Sequence, residues 1–208
     1  MSFKKTIEIP PIDGQPPQGL IVLLHGWGAN ANDLVPLASA LNASYCHFVF
    51  PEAPFPHPYA HEGRMWYDLE NQNFNQLQES CQRLTEWLDS LAETVGVPCD
   101  RTLLGGFSQG GAMALHVGLA RPLAGLISLS GYLHPIEEAL LQPEKASSVF
   151  IAHGRQDPIV PLQAAQKAKQ QLNDRGILVE YHEFEMAHEI RSEVLVPLQE
   201  FISAALNL

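Results

Sequence analysis

Gly106-Phe107-Ser108-Gln109-Gly110 decides how the rest of this chain is read. Ahead of it, Arg101-Thr102-Leu103-Leu104-Gly105 has the apolar character of a short buried strand. Behind it, Met113, Ala114 and Val117 recur at one-turn spacing, as on a helix. A serine between glycines at a strand-to-helix junction is the pattern of a nucleophile elbow. The turn leaves no room for Cβ atoms at the flanking glycines, lifts the serine oxygen above the sheet, and aims the next backbone N–H at the same point. An ordinary tight turn has the same composition, so the pattern gains weight only if the chain supplies partners.

A hydroxyl is a poor nucleophile at neutral pH and needs a base, which in turn needs a group to orient it. Of nine histidines, His57 and His61 lie in a proline-rich loop, His47 and His182 in strand-like runs, and His116 in the elbow helix. His25 and His153 each precede a glycine at a strand end, where imidazoles often bond to loop backbone. His188 follows the strand-like run 177–184 and the loop Glu185-Met186-Ala187, and precedes a final helix. That is the C-terminal edge of a strand, where open α/β sheets place their chemistry. His188 is the expected base, with His153 its rival.

For the carboxylate, the apolar run Ser148-Val149-Phe150-Ile151-Ala152 leads into His153-Gly154-Arg155-Gln156-Asp157-Pro158. Most Asp-Pro pairs are loop or capping residues. Asp157 rises above that reading because serine, acid, histidine is the chain order of α/β-hydrolases. One helix and one strand fit between Asp157 and His188, which puts both at the same end of neighbouring strands. A fourth part is a site for a developing oxyanion. Gly19-Leu20-Ile21-Val22-Leu23-Leu24 runs straight into His25-Gly26-Trp27-Gly28, and the backbone N–H groups of Trp27 and Gln109 are the expected donor pair.

Leu24-His25-Gly26-Trp27-Gly28 with Asp33, Gly105 to Ala112, His153-Gly154 with Asp157, and Ala187-His188 together resemble the compact carboxylesterase, phospholipase and acyl-protein thioesterase family of the α/β-hydrolase superfamily. Arg64-Met65-Trp66-Tyr67-Asp68 and Ser130-Gly131-Tyr132-Leu133 resemble further segments of it, and the likeness runs in order from about residue 18 to the C-terminus. The resemblance implies Ser108 as nucleophile, Asp157 and His188 as its partners, and the Trp27 and Gln109 amides as oxyanion hole. It implies ester or thioester substrates and no metal or organic cofactor. Trp27 departs from the smaller aliphatic residue common there, and its indole is expected to reshape the acyl pocket.

Strand candidates near 3–9, 20–24, 46–50, 102–106, 124–130, 148–152 and 177–184 alternate with helical patterns near 34–43, 75–95, 109–120, 162–173 and 190–206. That alternation predicts an α/β fold, a mostly parallel sheet with helices on both faces. All of residues 1–208 are expected to form one α/β-hydrolase domain with no separate cap. Leu77, Cys81, Leu84, Leu88, Leu91 and Val95 make one apolar stripe, a core face and not a ligand box. The irregular stretch from Pro51 to Asn73 is long enough to be functional. Trp66 within it is expected either to touch substrate or to fix the loop, and Tyr132 is a second candidate wall.

A formal charge of −11 argues against nucleic acid or an anionic membrane as partner. The start alternates like a strand and carries no signal-peptide core, and no run approaches the roughly 18 apolar residues of a membrane span. Three cysteines without a C-x-x-C pair are expected to be reduced thiols of a cytoplasmic protein, and no Cys/His group has zinc-ligand spacing. The expected activity is a serine carboxylesterase acting on small or short-to-medium acyl esters. The alternative is a thioesterase or lysophospholipase for long acyl chains, and a non-catalytic binding protein on this scaffold is the distant third.

Overall fold

A computed structural model describes residues 3–71, 74–135 and 148–208; Gln72 and Asn73, the end of the long irregular stretch, lie outside the described residues, as do Met1 and Ser2. In chain order the elements are β1 (Thr6–Ile9), β2 (Gly19–Leu24), α1 (Pro36–Ala40), β3 (Cys46–Pro51), β4 (Phe55–Pro56), β5 (Arg64–Met65), α2 (Phe74–Val95), β6 (Thr102–Phe107), α3 (Gln109–Gly118), β7 (Gly125–Leu129), β8 (Ser148–Gly154), α4 (Leu162–Asn173), β9 (Val179–Phe184) and α5 (Ser192–Leu206).

Seven strands form one sheet in the order β1-β3-β2-β6-β7-β8-β9, while β4 and β5 pair separately as a small hairpin. Only β1 runs antiparallel within the large sheet. The interior strands are near-continuous apolar runs because both faces are covered. Alternate side chains of β2 go to opposite faces. Leu20, Val22 and Leu24 join Leu84, Leu88, Met113, Ala165 and Leu172, so α2, α3 and α4 cover that face. Ile21 and Leu23 join Leu37, Val194, Leu198, Phe201 and Ile202, so α1 and α5 cover the other.

Four of the five helical patterns read from sequence reappear with small changes of length, and the first, near 34–43, is halved. α1 is a short five-residue helix, trimmed at both ends by the turns around it. α2 is amphipathic along its 22 residues, and among the described residues no helix is long and apolar enough to cross a membrane. The β4–β5 hairpin was not expected. Its strands are two residues each and carry no period for a pattern to reveal.

Strand order places the chemistry. From β2 the chain crosses by α1 to β3 on one side of the sheet; from β6 it crosses by α3 to β7 on the other. The β2–β6 pair is therefore the switch point, where departing loops diverge and leave a crevice at the C-terminal strand ends. Phe150 is fully buried on β8 and packs against Phe201 of α5, with ring centroids 5.5 Å apart. Phe150→Ala is expected to destabilise the protein by about 3–5 kcal/mol, measured as a fall in the urea midpoint at unchanged slope.

Candidate active site

Ser108 holds φ 54° and ψ −117°, a conformation that side chains rarely adopt, at the junction of β6 and α3. Holding it costs about 1–3 kcal/mol that the surrounding fold must supply. Two glycines permit it. A Cβ on Gly106 would lie 2.5 Å from the Leu24 carbonyl oxygen, and one on Gly110 would lie 2.0 Å from the same atom. The Ser108 N–H donates to the Leu129 carbonyl at 2.8 Å, which ties the turn to β7. The Ser108 hydroxyl does not cap the helix, so its oxygen is not spent on the α3 backbone.

Asp157 and His188 meet as their spacing suggested. The His188 Nδ1–H donates to Asp157 Oδ2 at 2.7 Å, which leaves Nε2 of the neutral ring as the lone-pair nitrogen. Asp157 Oδ1 accepts from the Ile159 and Val160 N–H groups at 2.9 and 2.8 Å. Burial works against the Asp157 charge, yet the bond from His188 and the two amides hold its carboxyl below the usual carboxylate range. Backbone does the positioning: Arg155 N–H donates to Phe184 O and Gln156 N–H to Met186 O, so the two loops are zipped together. Gly154 lies so close to the Met186 and Ala187 carbonyls that a Cβ there would meet them at 2.3 and 2.4 Å. Arg155 adds exposed ion pairs to Glu183 and Glu185, of the kind worth about 1 kcal/mol or less.

The imidazole of His188 packs on the ring of Phe107, the residue before Ser108, at 4.7 Å between centroids. Gly26 lies on the same spot from the β2 side, since a Cβ there would be 3.5 Å from Ser108 Cβ. Serine, imidazole and the loop after β2 thus share one crevice. Among the described residues, no protein acceptor is paired with the backbone N–H of Trp27 or Gln109. Gln109 opens α3, whose first N–H groups have no acceptor within the helix and whose dipole favours negative charge there. Gly28, beyond Trp27, is held at φ 80° and donates to Arg64 O. The Trp27 indole stands edge-on to His57 at 4.2 Å.

Residues 9–206 match the family described as phospholipase/carboxylesterase. The chain belongs to this family. It is 31% identical to acyl-protein thioesterase 1 of Saccharomyces cerevisiae over 218 residues, 93% of this chain and 95% of the yeast protein. It is 29% identical over 204 residues to the protein of the same name in Schizosaccharomyces pombe, covering 90% of this chain and 91% of that one. Among solved structures, esterase PE8 superposes with a TM-score of 0.85 at 29% identity, over 99% of this chain and 100% of the other. The Bacillus cereus carboxylesterase shares the fold, with a TM-score of 0.81 at 23% identity over 97% of this chain and 94% of its own. The sheet is that of the α/β-hydrolases.

Other residues singled out by sequence occupy different positions in this phospholipase/carboxylesterase fold. Trp66 has no exposed surface and is bonded at both its N–H groups. It offers no face to a substrate and takes the second of its two expected roles, fixing the loop. Tyr132 is half-buried, its hydroxyl bonded to that of Tyr67, which also reaches His134 Nε2 at 2.8 Å. His153 is fully buried behind Asp157, its Nε2–H given to Val160 O at 2.8 Å. Burial pushes the Cys46 and Cys81 thiols up to about 12, so neither is a thiolate at neutral pH. Sequence reasoning missed the Gln109 carboxamide, which is fully buried and bonds Trp66 N–H and Tyr67 O. Only the polar residue type at a helix start hinted at it.

His25 braces the loop with both ring nitrogens: Nδ1–H donates to Gly26 O at 2.8 Å and Nε2 accepts from Ala53 N–H at 3.1 Å. Burial, with a smaller push from the Arg64 charge and against the pull of the Gly26 carbonyl, lowers its pKa from 6.5 to about 4. Between those values an unfolded chain protonates this ring and the native protein does not, so stability falls as pH drops. The loss due to His25 should be about 2 kcal/mol at pH 5 relative to pH 7. Urea unfolding at the two pH values should show it, and His25→Asn should narrow the gap between the two midpoints.

Proposed function

We propose that the protein is a serine hydrolase of carboxylic esters, with Ser108 as nucleophile, His188 as general base and Asp157 as the group that orients it. What carries the reading is the His188–Asp157 bond of 2.7 Å, made by a ring that packs on Phe107 next to Ser108, itself held at positive φ. Ser108 Oγ attacks the acyl carbonyl as His188 Nε2 takes its proton. The Trp27 and Gln109 N–H groups receive the oxyanion, and Asp157 stabilises the imidazolium. His188 then protonates the departing alcohol as the acyl bond breaks. Water repeats the sequence on the acyl-enzyme, losing its proton to His188 and releasing the acid and the Ser108 hydroxyl.

Small and short-to-medium acyl esters are the substrates proposed first. A thioester reading also has support: two relatives over nearly the whole chain are named acyl-protein thioesterases. The same catalytic groups serve both, because a thiol leaves more readily than an alcohol. The two readings separate on turnover of p-nitrophenyl butyrate, p-nitrophenyl palmitate and palmitoyl-coenzyme A. Preference for butyrate supports the first, and preference for palmitoyl thioester replaces it with the second. In either case Ser108→Ala should abolish turnover and labelling by a fluorophosphonate while leaving the urea midpoint nearly unchanged. Asp157→Asn should lower kcat by about 10⁴-fold, by analogy with proteases whose histidine loses its orienting carboxylate. Near-normal turnover in that variant would assign the role to another carboxylate.

A further inference from the structure

The β2–β6 ladder ends with Leu24 opposite Gly106. Trp27 and Gln109 each lie three residues beyond that last pair, on segments that still touch, with Gly110 against the Leu24 and His25 carbonyls and Gly26 against Ser108, but that no ladder hydrogen bond joins. Donors for a developing oxyanion must keep their relative position to about half an ångström. The sheet ladder holds neither of these segments to the other, so some further contact must.

Trp66 makes that contact. Its indole N–H donates to the His25 carbonyl at 3.0 Å, and its backbone N–H donates to Gln109 Oε1 at 3.0 Å. One residue thereby grips the segment leading to Trp27 and the side chain of Gln109 itself. Gln109 Nε2 completes the link by donating to Tyr67 O at 2.7 Å, using a donor and an acceptor that no carboxylate or aliphatic side chain would supply together. Trp66 is in turn held from outside the crevice. Its carbonyl accepts from the Ser80 hydroxyl of α2, and its ring packs against Phe3 and His25 at centroid distances of 5.8 and 5.7 Å. Every polar group of Trp66 is used, and none faces solvent.

We propose that Trp66 is a positioning residue that sets the spacing of the two oxyanion donors, acting through His25 and Gln109 without touching substrate. The inference rests on the oxyanion role proposed above for the Trp27 and Gln109 amides. It assigns this residue to transition-state binding and not to ground-state affinity, because a misplaced donor loses most where negative charge is greatest.

The test is Trp66→Phe, which keeps an aromatic ring but removes the indole N–H. kcat should be taken per active site counted by fluorophosphonate labelling carried to completion, so that any unfolded fraction drops out. It should fall tenfold to a hundredfold on p-nitrophenyl butyrate, with KM changed less than twofold. Affinity for a trifluoromethyl ketone, whose adduct mimics the tetrahedral oxyanion, should weaken by the same factor as kcat. Ser80→Ala, a smaller change that frees the Trp66 carbonyl, should show the same pattern at two- to fivefold, and decides the matter if Trp66→Phe does not fold. A kcat per site within twofold of wild type in the variants that fold, or a loss confined to KM, overturns the positioning role. The underlying reading fails separately: the wild type would then not be labelled at Ser108 by a fluorophosphonate, or Ser108→Ala would still turn over.

Discussion

The first turn of α3 sits on the carbonyl of Leu24, with Gly110 so near that any side chain would collide with it. Much of the crevice follows from that approach. Helix α3 can begin immediately after β6 only if its first turn passes over the end of β2, and the positive φ of Ser108 is the bend that takes it there. The same approach brings the loop after β2 alongside the serine, so that Gly26 lies against Ser108. A bulkier residue at position 106 or 110 would push the helix off the strand and separate the hydroxyl from the loop that faces it.

The strain of that turn is supported by a well-buried sheet. β2, β6 and β7 are buried along nearly their whole length, with one face packed under α2, α3 and α4 and the other under α1 and α5. A bend costing about 1–3 kcal/mol is small beside the apolar surface those layers remove from water. Positioning on the acid and histidine side works differently. There the two loops are joined by backbone hydrogen bonds and by the close passage of Gly154 under Met186 and Ala187. The Arg155 and Glu185 charges decorate that joint from solvent, where they are individually weak.

How much of this was legible depended on whether the feature repeats or is compressed into neighbouring residues. Strand and helix alternation is a repeating signal, and the sheet and its main helices follow it. The elbow is compressed into five residues with two glycines, the loop holding Asp157 follows an apolar run, and the loop holding His188 follows a strand-like one. The bonds between the Trp66 and Gln109 side chains and distant backbone had no such mark. They bridge positions about forty residues apart and involve backbone groups, which a side-chain pattern does not encode. The β4–β5 hairpin was hidden for a related reason, since two-residue strands are too short to alternate. Trp66 illustrates the result: an aromatic in a loop beside a crevice fits either a wall or a brace, and only its burial separates them.

Three histidines at strand ends show how environment divides one side chain among different tasks. His25 uses both ring nitrogens on loop backbone and is kept neutral by burial, so it has no lone pair or proton to exchange. His153 has no exposed surface and gives its Nε2–H to Val160 O, with Asp157 Oδ2 3.4 Å away. His188 engages Asp157 through one nitrogen and keeps part of its side chain, 16%, open to solvent. A base must have one nitrogen held and the other able to reach a substrate-side proton. Of these three rings, His188 alone meets both conditions. The carboxylate it shares with the buried ring is also fixed by two amides, so Asp157 has little freedom to turn toward His153 and away from the crevice.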